Sequence, residues 1–223
     1  MVKILCELRI CTNIKDTHLF KKGQLASEDN RLTQYINGIE KFLQLNKKYI
    51  DDNILDVYIT DNTIPEGKKL DKSLLDTIPE NVKIITCLNN NYGCFNKGAG
   101  DIEQWRYCSN LISEYDYFIH FEPRQLLIDN YFIDNFIKNP RTLFTYNSNP
   151  NAPRHFNTGL FICKSKELLG FISHCSPEFL VNFNVSIEHI LYNFFDNNNI
   201  NYDVLDKMNL IWFDAITKKE YYW

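Results

Sequence analysis

The chain contains no apolar stretch long enough to cross a membrane, and Met1 to Ile10 lacks the charged, apolar and small-residue order of a signal peptide. The expectation is a cytoplasmic protein, in the host cytoplasm if the source is a virus. No run of Lys or Arg occurs and the formal net charge is -4, so the basic footprint of a nucleic-acid binder and the polybasic strip of a membrane-surface protein are both missing. Local clusters can still serve small anionic ligands. The seven cysteines, Cys6, Cys11, Cys87, Cys94, Cys108, Cys163 and Cys175, include no Cys-x-x-Cys pair and no zinc spacing. They read as reduced, mostly buried small hydrophobes. Cys11 to Lys22 contains no glycine, which excludes the Gly-x-Gly-x-x-Gly turn of a dinucleotide oxidoreductase after the first strand. Internal repeats and low-complexity linkers are absent as well.

What is present is a chain of 223 residues, 44% hydrophobic and 23% charged, the composition of a globular protein with one large core spanning residues 1–223. Val2 to Ile10 reads as a first strand, followed by a polar loop from Cys11 to Ala26. Leu32, Tyr35, Ile36, Ile39, Phe42 and Leu43 then share one helical face, placing Tyr35 and Phe42 in the core. Strands follow at Ile54 to Thr60 and Val82 to Leu88, and a helix capped by Asp101 puts Ile102, Trp105 and Ile112 on one face. Asp116 to Phe121 is an apolar, aromatic strand that ends abruptly in Glu122, Pro123 and Arg124. Further strands are expected at Thr142 to Tyr146, Gly159 to Cys163 and Tyr202 to Leu205. Helices are expected at Asp129 to Lys138, Lys166 to His174 and Ser186 to Phe195, with loops at Asn147 to Asn157 and Ser176 to Asn184 and an aromatic tail from Leu210.

Strands alternating with helices imply an α/β fold with a mostly parallel sheet covered on both faces. Thr12 and Asn13, Asp61 and Asn62, Asn89 to Gly93, and His120 to Arg124 all follow strands. In a parallel sheet these ends share one edge, so separate segments converge on one crevice. Each residue also has a plainer duty open to it. Asp61 can cap a turn, Glu122 can pair with Arg124, His120 can be a satisfied half-buried histidine, and Glu188 can favour the first turn of a helix.

In this order the pieces resemble the nucleotide-sugar-dependent glycosyltransferases of the GT-A fold, a Rossmann-type sandwich, over roughly the whole chain. The resemblance makes Asp61 an acid that holds the nucleoside, with Thr12 beside it. It makes Asn91, Gly93 and Lys97 nucleotide- and sugar-binding positions, and Phe156 to Gly159, with Asn157, the segment beside sugar and acceptor. His120-Phe121-Glu122 stands where the family carries Asp-x-Asp, and Asp214 where some members supply a late metal ligand. Glu188 resembles the base of inverting members.

The resemblance therefore implies a glycosyltransferase acting on a nucleoside-diphosphate sugar, UDP-sugar favoured, and on a glycan or glycoprotein hydroxyl. Glu122 is a hard oxygen ligand suited to Mg or Mn, and neutral His120 can bind Mn; one carboxylate and one imidazole imply a weakly held metal. Lys97, Arg124 and Arg154 then become candidates to neutralise phosphate charge. Two rival functions stand beside this one: a non-catalytic nucleotide-sugar or glycan-binding module, and a sugar nucleotidylyltransferase, which the glycine-free segment after the first strand disfavours.

Overall fold

Strand β1 (Ile4–Arg9) is buried at every residue. It pairs in parallel with β2 (Leu55–Asp61) on one side and β4 (Tyr117–Phe121) on the other. A strand with neighbours on both sides and helices over both faces needs a near-continuous apolar run, and Ile-Leu-Cys-Glu-Leu-Arg provides one except at Glu7 and Arg9. The computed structural model describes residues 2–13, 29–65, 68–147, 154–213 and 219–222.

Beyond β2, β3 (Lys83–Thr86) continues the parallel order. Beyond β4 the direction reverses at β7 (Leu160–Lys164) and again at β6 (Leu143–Phe144), and β8 (Asp203–Val204) runs parallel to β6. The resulting seven-stranded sheet has the order β3-β2-β1-β4-β7-β6-β8. This is the mostly parallel, doubly covered α/β sandwich expected. A second sheet was not anticipated: β5 (Leu126–Leu127) and β10 (Glu220–Tyr222) pair antiparallel with β9 (Leu210–Phe213), which gives the aromatic tail its place.

On one face of the sheet lies α1 (Asp29–Asp51), whose Tyr35, Ile39 and Phe42 are buried, Phe42 stacking on Phe121 at 5.4 Å. Gly38 sets how close this helix comes. A Cβ there would lie 1.7 Å from the carbonyl oxygen of Pro123, so only glycine lets α1 rest on the turn after β4. Beyond β2 comes the single-turn α2 (Lys72–Leu75), with Asp71 as its cap. The other face carries α3 (Lys97–Tyr107), α4 (Ser109–Ile112), α6 (Ser165–His174) and α8 (Ile187–Asn197), with Trp105, Phe171 and Phe195 fully buried among them. Between β5 and β6 runs α5 (Tyr131–Lys138).

Two local expectations are corrected. The helix expected to be capped by Asp101 is capped five residues earlier, because Asn96 accepts from the Ala99 amide; Asp101 lies inside and is free for a tertiary role. Ser176 to Asn184, expected as a loop, holds α7 (Pro177–Phe183), started by Pro177 and closed by Asn184 in the left-handed region at φ 48°. All seven cysteines are free, five of them buried, as composition indicated.

Candidate functional site

Two charges inside β1 organise the strand ends. Glu7 is opposite His120 in the β1–β4 register, and its Oε2 meets His120 Nδ1 at 2.8 Å and accepts from the Trp105 indole N–H at 2.8 Å. Glu7 Oε1 accepts from Thr60 at 2.8 Å. Burial works against the Glu7 charge, but His120 and Arg9 outweigh it and hold the carboxyl below its usual range. Burial likewise opposes the imidazolium, yet Glu122 and Glu7 raise His120 to about 9. The ring is packed face-on against Phe161 at 5.2 Å and edge-on to Trp105 at 5.3 Å.

His120 Nε2 is buried without a hydrogen-bond partner and stands 4.0 Å from Glu122 Oε1, beyond hydrogen-bond reach. That oxygen is bonded instead by the Lys97 ammonium from the start of α3. Burial opposes the Glu122 charge, but Lys97 and then His120 prevail and keep it ionised far below the carboxylate range. Burial also opposes the Lys97 charge, while Glu122, Asp101 and Glu188 together raise its pKa. The expected alternative partner of Glu122, Arg124, is thus replaced by Lys97.

Arg9, two residues along the same face of β1, reaches Asp101 with its Nε at 2.8 Å and donates to Asn62 Oδ1 at 3.1 Å. Burial raises the Asp101 pKa even though Arg9 and Lys97 pull it down. Glu103, two turns beyond Asn96 on α3, accepts from the backbone N–H groups of Asn91, Tyr92 and Gly93 at 2.9 to 3.2 Å and holds the loop after β3 against the helix.

These elements enclose a crevice at the carboxyl ends of β1 and β4. Together with the open solvent space at its mouth it measures about 600 Å³. Four cations line it, Arg9, Arg31, Lys97 and Arg124, against two carboxylates, Asp101 and Glu122. Both carboxylates are ion-paired, to Arg9 and Lys97. Among the described residues no carboxylate pairs with Arg31 or Arg124, and burial followed by the nearness of Arg31 lowers the pKa of Arg124. Tyr35 lines the crevice with these guanidiniums as well as packing in the core, its hydroxyl accepting from the Cys11 amide at 2.9 Å.

Of the residues singled out by sequence, Gly93, Lys97, Glu122 and Arg124 line this crevice. Asp61 is fully buried behind it: one oxygen accepts from Thr12 N and Oγ1 at 2.8 and 2.6 Å, the other from Thr63 N and Oγ1 at 2.8 and 2.5 Å. It therefore anchors the segment after β1. Asn91 is exposed, tied down by its backbone. Asn157 Oδ1 accepts from the Gly159 amide at 2.9 Å, fixing its own turn. Glu188, half-buried in the first turn of α8, accepts from Thr158 at 3.2 Å and contributes to the field at Lys97. Arg154 lies 5.6 Å over the Tyr146 ring. Asp214 falls outside the described residues.

A divalent ion at His120 and Glu122 is the cofactor that the family resemblance implies. Among the described residues, no three of His, Cys, Asp and Glu are grouped to hold a metal ion. The oxygen such an ion would need carries Lys97, and Glu122 and Glu7 favour the imidazolium of His120, which has no free lone pair to offer a metal. This donor set does not fit a resident divalent ion.

Glu7, Arg9, Arg31 and Glu103 were not picked out from the sequence, and Asp101 was read only as a helix cap. Glu7 and Arg9 did carry a signal: two charges at alternate positions of an otherwise apolar strand must both find partners in the interior. Arg31 carried none.

No family model matches the sequence, and no curated protein matches it. Among solved structures the chain is similar to a protein of Desulfovibrio desulfuricans G20 provisionally assigned as a nucleotide-diphospho-sugar transferase. The TM-score is 0.55, at 10% identity over 92% of this chain and 80% of that one. At that identity the likeness shows the fold, a GT-A-like sandwich of a mostly parallel sheet between helices.

Proposed function

We propose that the protein transfers a sugar from a nucleoside-diphosphate sugar, UDP-sugar favoured, to a hydroxyl of a glycan or glycoprotein. The observation that carries this reading is the surplus of positive charge at the strand ends: a chain of net charge -4 gathers four cations against two already paired carboxylates in one crevice. A diphosphate supplies the matching negative charge. The GT-A-like fold supports the same reading, since sandwiches of this kind bind ligands at the carboxyl ends of their strands.

In the reaction, the bond between the anomeric carbon and the diphosphate breaks and the diphosphate leaves with the electron pair. The acceptor oxygen bonds to that carbon, and its proton passes to a base. Glu188 is the proposed base. It is half-buried in the first turn of α8, near enough to Lys97 to raise that group's pKa, and, among the described residues, is in no ion pair, whereas Glu122 is held by Lys97. One free carboxylate suits an inverting transfer, which needs a base but no protein nucleophile. Asp61, with Thr12, supports the nucleoside side of the crevice from behind. A weakly held Mg or Mn at Glu122 would first have to displace Lys97.

The test is a thermal-shift screen of UDP-, GDP- and dTDP-sugars, followed by transfer or hydrolysis assays with Glu188→Gln. One sugar nucleotide should raise the melting temperature. The variant should bind it unchanged while turnover falls by about 10²- to 10⁴-fold. Tight binding with no turnover in the native chain would favour a non-catalytic binding module. No shift with any donor would remove the transferase reading altogether.

A further inference from the structure

The same fold that implies a divalent ion carries, at the place for it, a side chain that already supplies the charge. We propose that the Lys97 ammonium takes the part of the metal in this chain, neutralising the leaving diphosphate, so that the reaction needs no divalent cation. The inference rests on the transferase reading for the identity of the anion; the role of Lys97 itself rests on geometry.

Three observations converge. The Lys97 ammonium is bonded to Oε1 of Glu122, the acid that the family resemblance casts as a metal ligand. Its stem leaves the N-terminal end of α3, an 11-residue helix capped by Asn96, where the helix dipole also favours an anion. Finally, both residues line the crevice, and Lys97 is 49% exposed while Glu122 is only 13% exposed, so the ammonium is the more accessible half of the pair. With three N–H donors the ammonium can bond a ligand phosphate while it still holds Glu122, and Arg31 and Arg124 supply further positive charge on the same crevice. In the transfer, the charge appearing on the departing diphosphate is met by the Lys97 N–H donors, as a fixed cation meets developing negative charge in other sites.

Inorganic pyrophosphate and Mn(II) separate the possibilities. Electron paramagnetic resonance titration of the native chain should find no Mn(II) site tighter than about millimolar, a Kd worth about 4 kcal/mol. Pyrophosphate should raise the melting temperature in excess chelator. That shift should vanish in Lys97→Met and persist in Lys97→Arg, which keeps the charge. Sugar transfer in chelator should be intact in the native chain and fall by about 10²- to 10³-fold in Lys97→Met, the loss expected on removing one group that stabilises a developing anion.

A tight Mn(II) site abolished by Glu122→Gln would overturn the proposal, and so would a pyrophosphate shift that requires Mn(II) or is indifferent to Lys97. Absence of any pyrophosphate shift would overturn it too. If pyrophosphate binds through Lys97 but no sugar nucleotide binds or reacts, the anion site stands and the transferase reading fails, so the two failures are distinguishable.

Discussion

The interior end of the polar row and its crevice end treat charge in opposite ways. Glu7 and His120, 2% and 1% exposed, are matched to each other and to Thr60 and Trp105 at 2.8 Å. Arg31 and Arg124, on the crevice wall, face each other without a carboxylate among the described residues. A buried pair of opposite charges in contact holds a strand end in place, whereas like charges left together raise the energy of the free protein and are relieved when an anion arrives. The first region is framework and the second is a site awaiting a ligand.

The comparison breaks most easily at Glu7. Glu7→Leu leaves the His120 charge buried without its partner and should cost about 3–5 kcal/mol of stability, measured by denaturant unfolding. A loss below about 1 kcal/mol would show that the pair is not structural. A gentler probe is pH. Because His120 is raised to about 9 from 6.5, its stabilising contribution is complete below pH 6.5 and fades as pH rises through 9, by up to about 3 kcal/mol. Glu7 and Glu122, both depressed, contribute above pH 4.5 and are lost as pH falls further. Stability should therefore peak between about pH 5 and 6.5, and His120→Phe should flatten the alkaline limb.

The smallest effect belongs to the unmatched cations. Arg31→Met or Arg124→Met should leave stability within about 0.5 kcal/mol of the native value, or raise it slightly. The same changes should weaken sugar-nucleotide binding about ten- to a hundredfold by calorimetry, the worth of a charge-assisted hydrogen bond. A stability loss without a binding loss would reverse the roles assigned to the two regions.

Much of the frame was legible in the residues. Tyr35, Ile39 and Phe42 announced a buried helix face, and the polar residues after each apolar strand announced a shared edge, because strand and helix periods are local properties of the chain. The pairings were not. Lys97 and Glu122 are 25 residues apart, and Glu7 and His120 are 113 residues apart. Arg31 had no mark in its neighbourhood at all. It reaches the crevice because Gly38 lets α1 lie against the carbonyl of Pro123, a contact between segments that no local pattern encodes. The cap at Asn96 was missed for a smaller reason: Asn-Lys-Gly-Ala-Gly-Asp offers two good capping residues, and Asp101 was drawn into an ion pair with Arg9 instead.

By itself the sequence determined an α/β chain whose strands end in polar groups on one edge, since alternation of elements and burial of apolar runs follow from composition and period. Only the tertiary structure decided which charges meet. It joined Lys97 to Glu122 and Glu7 to His120 and left Arg31 and Arg124 without a carboxylate among the described residues, because the partner of a buried charge is chosen by strand register and helix approach, which are set by contacts between residues remote along the chain.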